Sequence, residues 1–506
     1  MHKWLRHRSS GWNHESPRRV LFLRVTFLLV MFLGMQPHLA ESGRLPRYGG
    51  NVRIVLNDIP LDLDPHRLSG DSGELVGSNL YEGLTGFSGR GIVPSLASTW
   101  VKSDDSKRWV FRLRSNISFH DGSPCDAAAV VASLNRLAQT QESSHQWLLR
   151  EVEGWEAFAS GEVPVLEGLV AVDDLEVEFH LQSTVADLDV RLALPEAAIA
   201  RWTGRTTVGT GPFRVVSGSA QALRLVAFEA YWRGRPFLDG LDLVKDSNAD
   251  VTPWGSDASM KRVLPTDQDQ DDTQRLETRT QRLGFALVHP ASSTLRERQA
   301  RIRAGAGFDR AVFAKASLND KGEAAFGLLP GQKDLLLEES RDVEGDLMQQ
   351  PRKPIRVLIR RGEPVLERLG ERLQVHLFAS GFDARLDILP NEEYRVALLT
   401  EEFDIVLLGW TPPLSAGRRL HEDSLVRHVL THVLEPALLD RLPAAWSDIL
   451  RKQSPATREA LFRDGYLIPL VRFHETWRVS KQVGNARPGF STANLGLRAA
   501  HLRPAP

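Results

Sequence analysis

Residues 109–114, Trp-Val-Phe-Arg-Leu-Arg, set large apolar side chains between charged ones at the spacing of a half-buried strand, and Ile117 and Phe119 carry the pattern on. The strand stops at 120–124, where an Asp-Gly step signals a turn. Ser123 then predicts a helix cap, with Pro124 at the first helical position, Asp126 near the positive end of the dipole and Val130, Val131, Leu134 and Leu137 as one apolar stripe. Upstream, 52–56 reads as an apolar strand, 59–66 is broken by two prolines, and a helix-capable run follows a loop at 67–73. Downstream, 136–161 reads as a helix whose Trp147, Trp155 and Phe158 serve packing, and 175–181 alternates strictly, as a strand with one wet face does.

The second half is clearest over 355–410. Residues 355–359 form a strand; 364–380 place Leu366, Leu369, Leu373 and Leu377 at helical spacing, and Gly381 supplies a left-handed cap. A second strand at 382–388, a short helix capped by Asn391 and a fully apolar strand at 403–410 follow. Alternation of strand and helix with short links predicts a largely parallel sheet covered on both faces. Ligands of such sheets bind beyond the carboxyl ends of the strands, and Trp410 stands at one of those ends. A basic helix is predicted over 295–315, a helical stretch over 425–460, and closing strands at 466–471 and 475–480; 248–282 carries no clear pattern.

The length of 506 residues exceeds what one core usually supports, so two or more lobes are expected. Lys+Arg 63 against Asp+Glu 64 gives a net charge of -1 and no reason to expect nucleic acid as a partner. With Cys125 the only cysteine, no intramolecular disulfide can form, and stability must come from burial. Residues 1–19 are basic and 20–35 apolar apart from Arg24 and Thr26, the form of a secretory leader, with a plausible cleavage point after Ala40. The expected location is the periplasm; an uncleaved leader would tether the protein to the membrane. No cysteine lies near that point to accept a lipid.

Four separated motifs, GGNVRIVLNDIPLDLDPH from Gly49, NLYEGLTGF from Asn79, IVPSLASTW from Ile92 and the run from Trp109 to Leu137, resemble the opening of the extracellular solute-binding proteins of family 5. GTGPF from Gly209 and the stretch through Tyr231, Trp232 and Asp239 resemble that family's return to its main sheet. The resemblance implies an α/β fold with two lobes, the large peptide-binding form of the type II periplasmic-binding-protein fold, with a hinge and an extra subdomain in the first lobe. It divides the chain into a leader (1–40), a first lobe (41–86, 206–265 and 480–506), its inserted subdomain (87–205) and a second lobe (266–479). It further implies capture of a peptide-like or other small solute between the lobes, delivery to ABC permease subunits, a monomer, and neither cofactor nor covalent chemistry. The alternative is a sensory protein that no longer feeds a transporter.

By the same resemblance Ser69, Gly70 and Asp71 should line the cleft from the first lobe, with Trp410 and Thr411 facing them. Trp410 can cover a ligand with a flat apolar face while its indole N–H finds an acceptor. Peptide receptors of the family typically carry an aspartate three residues after that tryptophan; here the position is Pro413, which offers neither charge nor donor. Asp71 is a candidate substitute. Other chemistry reads as structural. Gly209 and Gly211 lack the rest of a nucleotide fingerprint, Asp267 to Asp272 fails the calcium-loop pattern at its sixth and twelfth positions, and His428 and His432 with Glu435 lack a third firm metal ligand. Cys125 at a helix start has no His-Asp companions and reads as a hydrophobic plug, and no Gly-x-Ser-x-Gly elbow supports a hydrolase.

Overall fold

The computed structural model describes residues 46–68, 70–88, 91–139, 144–204, 206–245, 259–263, 273–278, 281–318, 321–332, 353–412, 414–415, 418–420, 424–425, 428–429, 461–486 and 497–503. The leader, the aspartate cluster 267–272, Ser69, Pro413, His432, Glu435 and most of 425–460 lie outside them.

Val52, Ile54 and Leu56 alternate inward along β1 (Asn51–Leu56), as its spacing requires. The chain then runs through α1 (Gly70–Leu80), β2 (Ala97–Lys102), β3 (Arg108–Leu113), α2 (Ala127–Gln139), β4 (Leu169–Asp173) and β5 (Glu176–His180). Strands β6 (Phe213–Gly218), β7 (Ala222–Ala227), β8 (Gly240–Lys245), β9 (Ser259–Val263) and β10 (Thr273–Glu277) follow. Next come β11 (Arg282–Val288), α3 (Arg298–Ala306), α4 (Arg310–Leu318), β12 (Gly322–Ala324), β13 (Lys353–Arg360) and α5 (Pro364–Ala379). The chain closes with β14 (Phe382–Leu389), α6 (Asn391–Leu399), β15 (Ile405–Trp410), β16 (Leu467–Phe473) and β17 (Thr476–Ser480).

A seven-stranded sheet has the order β6-β7-β8-β1-β9-β17-β10, with β1 parallel to both neighbours. A six-stranded sheet has the order β12-β16-β11-β15-β13-β14. A four-stranded antiparallel sheet, β2-β3-β5-β4, forms the insert. In the six-stranded sheet β13, β14 and β15 are parallel, as their intervening helices require, but β11 pairs antiparallel with β15 and β16, and β12 antiparallel with β16, so the sheet is mixed rather than largely parallel. β11 enters from the first sheet, and β16 leads back to it through β17.

Every residue of β11 and of β16 is buried, because the sheet is covered on both faces. Leu283, Phe285 and Leu287 face a core that extends into the insert, where Trp109, Phe111 and Phe179 lie, while Ala286 and Val288 face the core under α5. A third core packs Leu75, Val76 and Leu80 of α1 against Ile54, Phe213 and Leu241.

Several local expectations change for identifiable reasons. Asp126, not Ser123, caps α2: its carboxylate accepts from Ala129 N–H at 2.8 Å, while Ser123 is held in the turn by Asp121. The helix expected over 136–161 is interrupted. After α2 comes a tight turn at Ser144–Leu148 and a short helix at Trp155–Ala159, with Gly154 at φ 81 between them. Trp147, Trp155 and Phe158 are buried packing residues, as expected. The basic helix expected over 295–315 is two helices, since Asp309 starts a new one by accepting from Val312 N–H at 2.8 Å. Asn391 is no cap: it opens α6, and its amide donates to Asp58 at 3.2 Å. Gly381 is at φ 87, the expected left-handed stop to α5.

Candidate functional site

The chain leaves the first sheet after Glu277 and returns to it at Thr476. Both crossings are tied together: Thr278 N–H donates to the Glu475 carbonyl at 2.9 Å, and Glu475 N–H donates to Thr278 Oγ1 at 3.0 Å. Two adjacent, mutually bonded strands of backbone between two sheets form a hinge. On one side of it lie the carboxyl end of β1 and the start of α1; on the other lie the carboxyl ends of β13 and β15. These ends touch. Asn57 donates to the Gly362 carbonyl at 3.2 Å, and the Asn391 contact to Asp58 spans the same gap.

Between them sits a buried charge cluster. Arg282 is 3% exposed and donates to Asp71 Oδ2, to Glu475 Oε1 at 2.6 Å and to the Gly409 carbonyl at 3.3 Å, with Glu363 Oε2 at 3.5 Å. Arg360 donates to Glu363 at 2.8 Å and lies 3.8 Å from Asp71. Burial opposes the Arg282 charge, yet Asp71, Glu363 and Glu475 hold its pKa well above the ordinary guanidinium range. Those three carboxylates lie close enough to bracket a metal ion, but the Arg282 guanidinium bonds two of them directly and already supplies the positive charge. Removing one partner from such a buried set costs about 3–5 kcal/mol, because it strands the remaining charges.

Trp410, at the end of β15, is 1% exposed, and its Nε1–H donates to His428 Nδ1 at 3.0 Å. Because an indole only donates, His428 carries any single proton on Nε2, which faces Glu196 of the insert at 3.7 Å. His428 is therefore committed to Trp410 rather than to a metal pair. Thr411 is half-buried and its hydroxyl has no hydrogen-bond partner. Gly70 begins α1 at φ 66, a conformation glycine adopts without strain, and Asp71 follows in the first turn.

Beside α1 is a small cavity of ≈ 10 Å³, room for about one water, lined by Pro65, Leu68, Gly70, Gly73, Glu74 and Glu196 among others. Gly70 is at its wall; Trp410 is not, since its indole is packed into the core beside His428. The structure thus brings Gly70, Asp71, Trp410 and Thr411 to the two sides of one hinge, while Asp71 is already engaged by Arg282. Sequence reasoning missed Arg282, Glu363, Glu475 and Glu196. The only local signals were an arginine opening an apolar strand and a glutamate in the link between two apolar strands.

The glycines of GTGPF serve close approach. Gly211 N–H donates to the Leu80 carbonyl at 2.9 Å, and neither Gly209 nor Gly211 has positive φ. His120 fixes this loop: Gly209 N–H donates to its Nδ1 at 3.3 Å and its Nε2 lies 3.0 Å from the Gly211 carbonyl, an arrangement that needs the neutral ring. Burial lowers His120 from 6.5 to about 4, and burial likewise lowers His66 to about 4. A ring kept neutral in the fold but free to protonate near 6.5 when unfolded stabilises above pH 6.5 and loses that contribution as pH falls toward 4. Urea unfolding should therefore show stability dropping between pH 7 and pH 5, by on the order of 2 kcal/mol for each ring, and His120→Asn should flatten part of that slope. Burial also pushes the Cys125 thiol far above its ordinary value, which leaves it a protonated plug, not a nucleophile.

Residues 91–417 match the family described as bacterial extracellular solute-binding proteins, family 5 middle. The glutathione-binding protein GsiB of Pectobacterium atrosepticum is 27% identical over 200 residues, 37% of this chain and 36% of that protein. The di/tripeptide-binding protein 2 of Pseudomonas aeruginosa is 23% identical over 435 residues, 77% of this chain and 80% of its relative. Among solved structures, the Escherichia coli murein tripeptide binding protein MppA superposes with a TM-score of 0.71 at 16% identity, covering 91% of this chain and 99% of that one.

Proposed function

The chain belongs to the bacterial extracellular solute-binding proteins of family 5, and from that premise we propose that it captures a small peptide-like solute between its lobes and hands it to an ABC importer. The observation that carries this reading is the hinge. Two bonded crossings join two sheets whose strand ends meet face to face, the place where α/β sheets bind ligands. In this reading the cleft is lined by Ser69, Gly70 and Asp71 from one side and by Trp410 and Thr411 from the other. The family motifs put the second lobe at 266–479; because β10 and β17 pair in the first sheet, this reading moves its ends to a hinge at 278–282 and 473–476.

The relatives named above bind glutathione, di- and tripeptides and a murein tripeptide, which favours short peptides as the ligand class here. The ligand is released unchanged, and the protein does no covalent chemistry. It works as a monomer in the periplasm, reached through the leader at 1–40, with the permease subunits as its partners. No helix among the described residues is long and apolar enough to cross a membrane.

Thermal-shift and calorimetric titration with a library of di- and tripeptides tests this. A ligand present at a hundred times its dissociation constant should stabilise the protein by about 2.7 kcal/mol. No stabilisation by any short peptide would count against the ligand class, and catalytic turnover of a bound peptide would count against the function.

A further inference from the structure

We propose that Arg282 and Asp71 form a latch that holds the lobes together without ligand, so that ligand affinity depends on this ion pair as well as on contacts to the solute. This rests on reading the chain as a two-lobed capturing protein. Arg282 lies directly after one hinge crossing and Glu475 within the other, while Arg360 ends β13 and Glu363 precedes α5 of the second lobe. Asp71 alone comes from the opposite side, on α1, which packs on the first sheet.

Opening at the hinge would therefore break the Asp71 contacts to Arg282 and Arg360 while leaving Arg282 bonded to Glu475 and near Glu363. That division makes two states accessible. In the open state Asp71 regains water and the buried guanidinium keeps two carboxylates; in the closed state Asp71 completes the set. Asn57 to Gly362, Asn391 to Asp58 and, where the insert moves with the first sheet, Glu196 to His428 and Arg191 to Ser424 break in the same movement, but none of them completes a buried cluster of full charges as Asp71 does. Adding salt should weaken only the part of the attraction that water reaches.

The test is a distance measurement between spin labels on Ser217→Cys in β6 and Val375→Cys on the exposed face of α5, in the full-length mature protein without ligand. Both positions are exposed, and the single native cysteine, Cys125, is buried, so labels go to the introduced sites. The wild type should show a dominant short distance. Asp71→Asn, which keeps the shape of the side chain but removes its charge, should raise the long-distance population at least threefold, and Arg282→Met should raise it further. Affinity for a short peptide that binds the closed form should fall by the ratio of the closed populations, wild type over variant, a smaller factor than the rise of the open one.

An unchanged distribution in Asp71→Asn overturns the latch, even if Arg282→Met fails to fold. So does a wild type that is already open. Neither result needs a ligand, so the latch can fail while capture stands, and an empty ligand screen can overturn capture while the distances still shift.

Discussion

Trp410→Ala should destabilise the protein by about 3–5 kcal/mol, read as a shift of the urea midpoint at pH 7.5 with unchanged slope. The indole is 1% exposed and belongs to the core that joins the second sheet to the insert. Its loss opens a cavity where that core cannot collapse, since β15 is held between β11 and β13. Trp410→Phe fills most of the space but takes away the donor to His428 Nδ1, and should cost about 1–3 kcal/mol. Were Trp410 only a wall against the ligand, the alanine variant would lose affinity at full stability. The expectation here is loss of both, with the stability loss appearing without ligand.

Gly209→Ala and Gly211→Ala should each cost about 1–3 kcal/mol or more by overpacking. A Cβ on Gly209 would stand 2.0 Å from the Leu80 carbonyl oxygen, and one on Gly211 would stand 2.5 Å from the Leu80 carbonyl carbon. Both clashes are with backbone at the end of α1, so relief would mean displacing the helix that carries Gly70 and Asp71. Gly122→Ala is the contrast. Its φ is 84 but nothing lies within 4 Å of the added methyl, so only the left-handed conformation is penalised, by about 1–2 kcal/mol. Thermal unfolding of the three variants separates close approach from backbone strain.

These glycines show where the sequence was readable and where it was not. GTGPF announces a constrained loop, but only the fold reveals that the constraint is the proximity of Leu80, more than a hundred positions earlier. The strands at 52–56, 109–114 and 382–388, the helix 364–380 with its Gly381 stop and the apolar strand to Trp410 were legible, because each pattern is local and its period unambiguous. The break at Gly154 was not, since an isolated glycine inside a helical pattern is usually tolerated. The antiparallel placement of β11 between β15 and β16 follows from its entry out of the first sheet, which no local period records.

The candidate site divides the same way. Trp410, Gly70 and Asp71 were reached through strand ends and a family resemblance. The arginine that claims Asp71 lies 211 positions away from it, and Glu475 lies 193 positions from that arginine. Buried charges assembled from such distances leave no spacing to detect. Asp71, a candidate partner for a ligand's ammonium group, is engaged by Arg282 in this structure.

Native mass spectrometry of the protein purified from its native cells, followed by mild denaturation and analysis of whatever is released, tests capture most directly. A single small molecule leaving one polypeptide chain intact, and rebinding to it when returned, is the predicted result. Recovery of that molecule cleaved or otherwise altered, or a protein that neither carries nor rebinds any solute, would contradict the account.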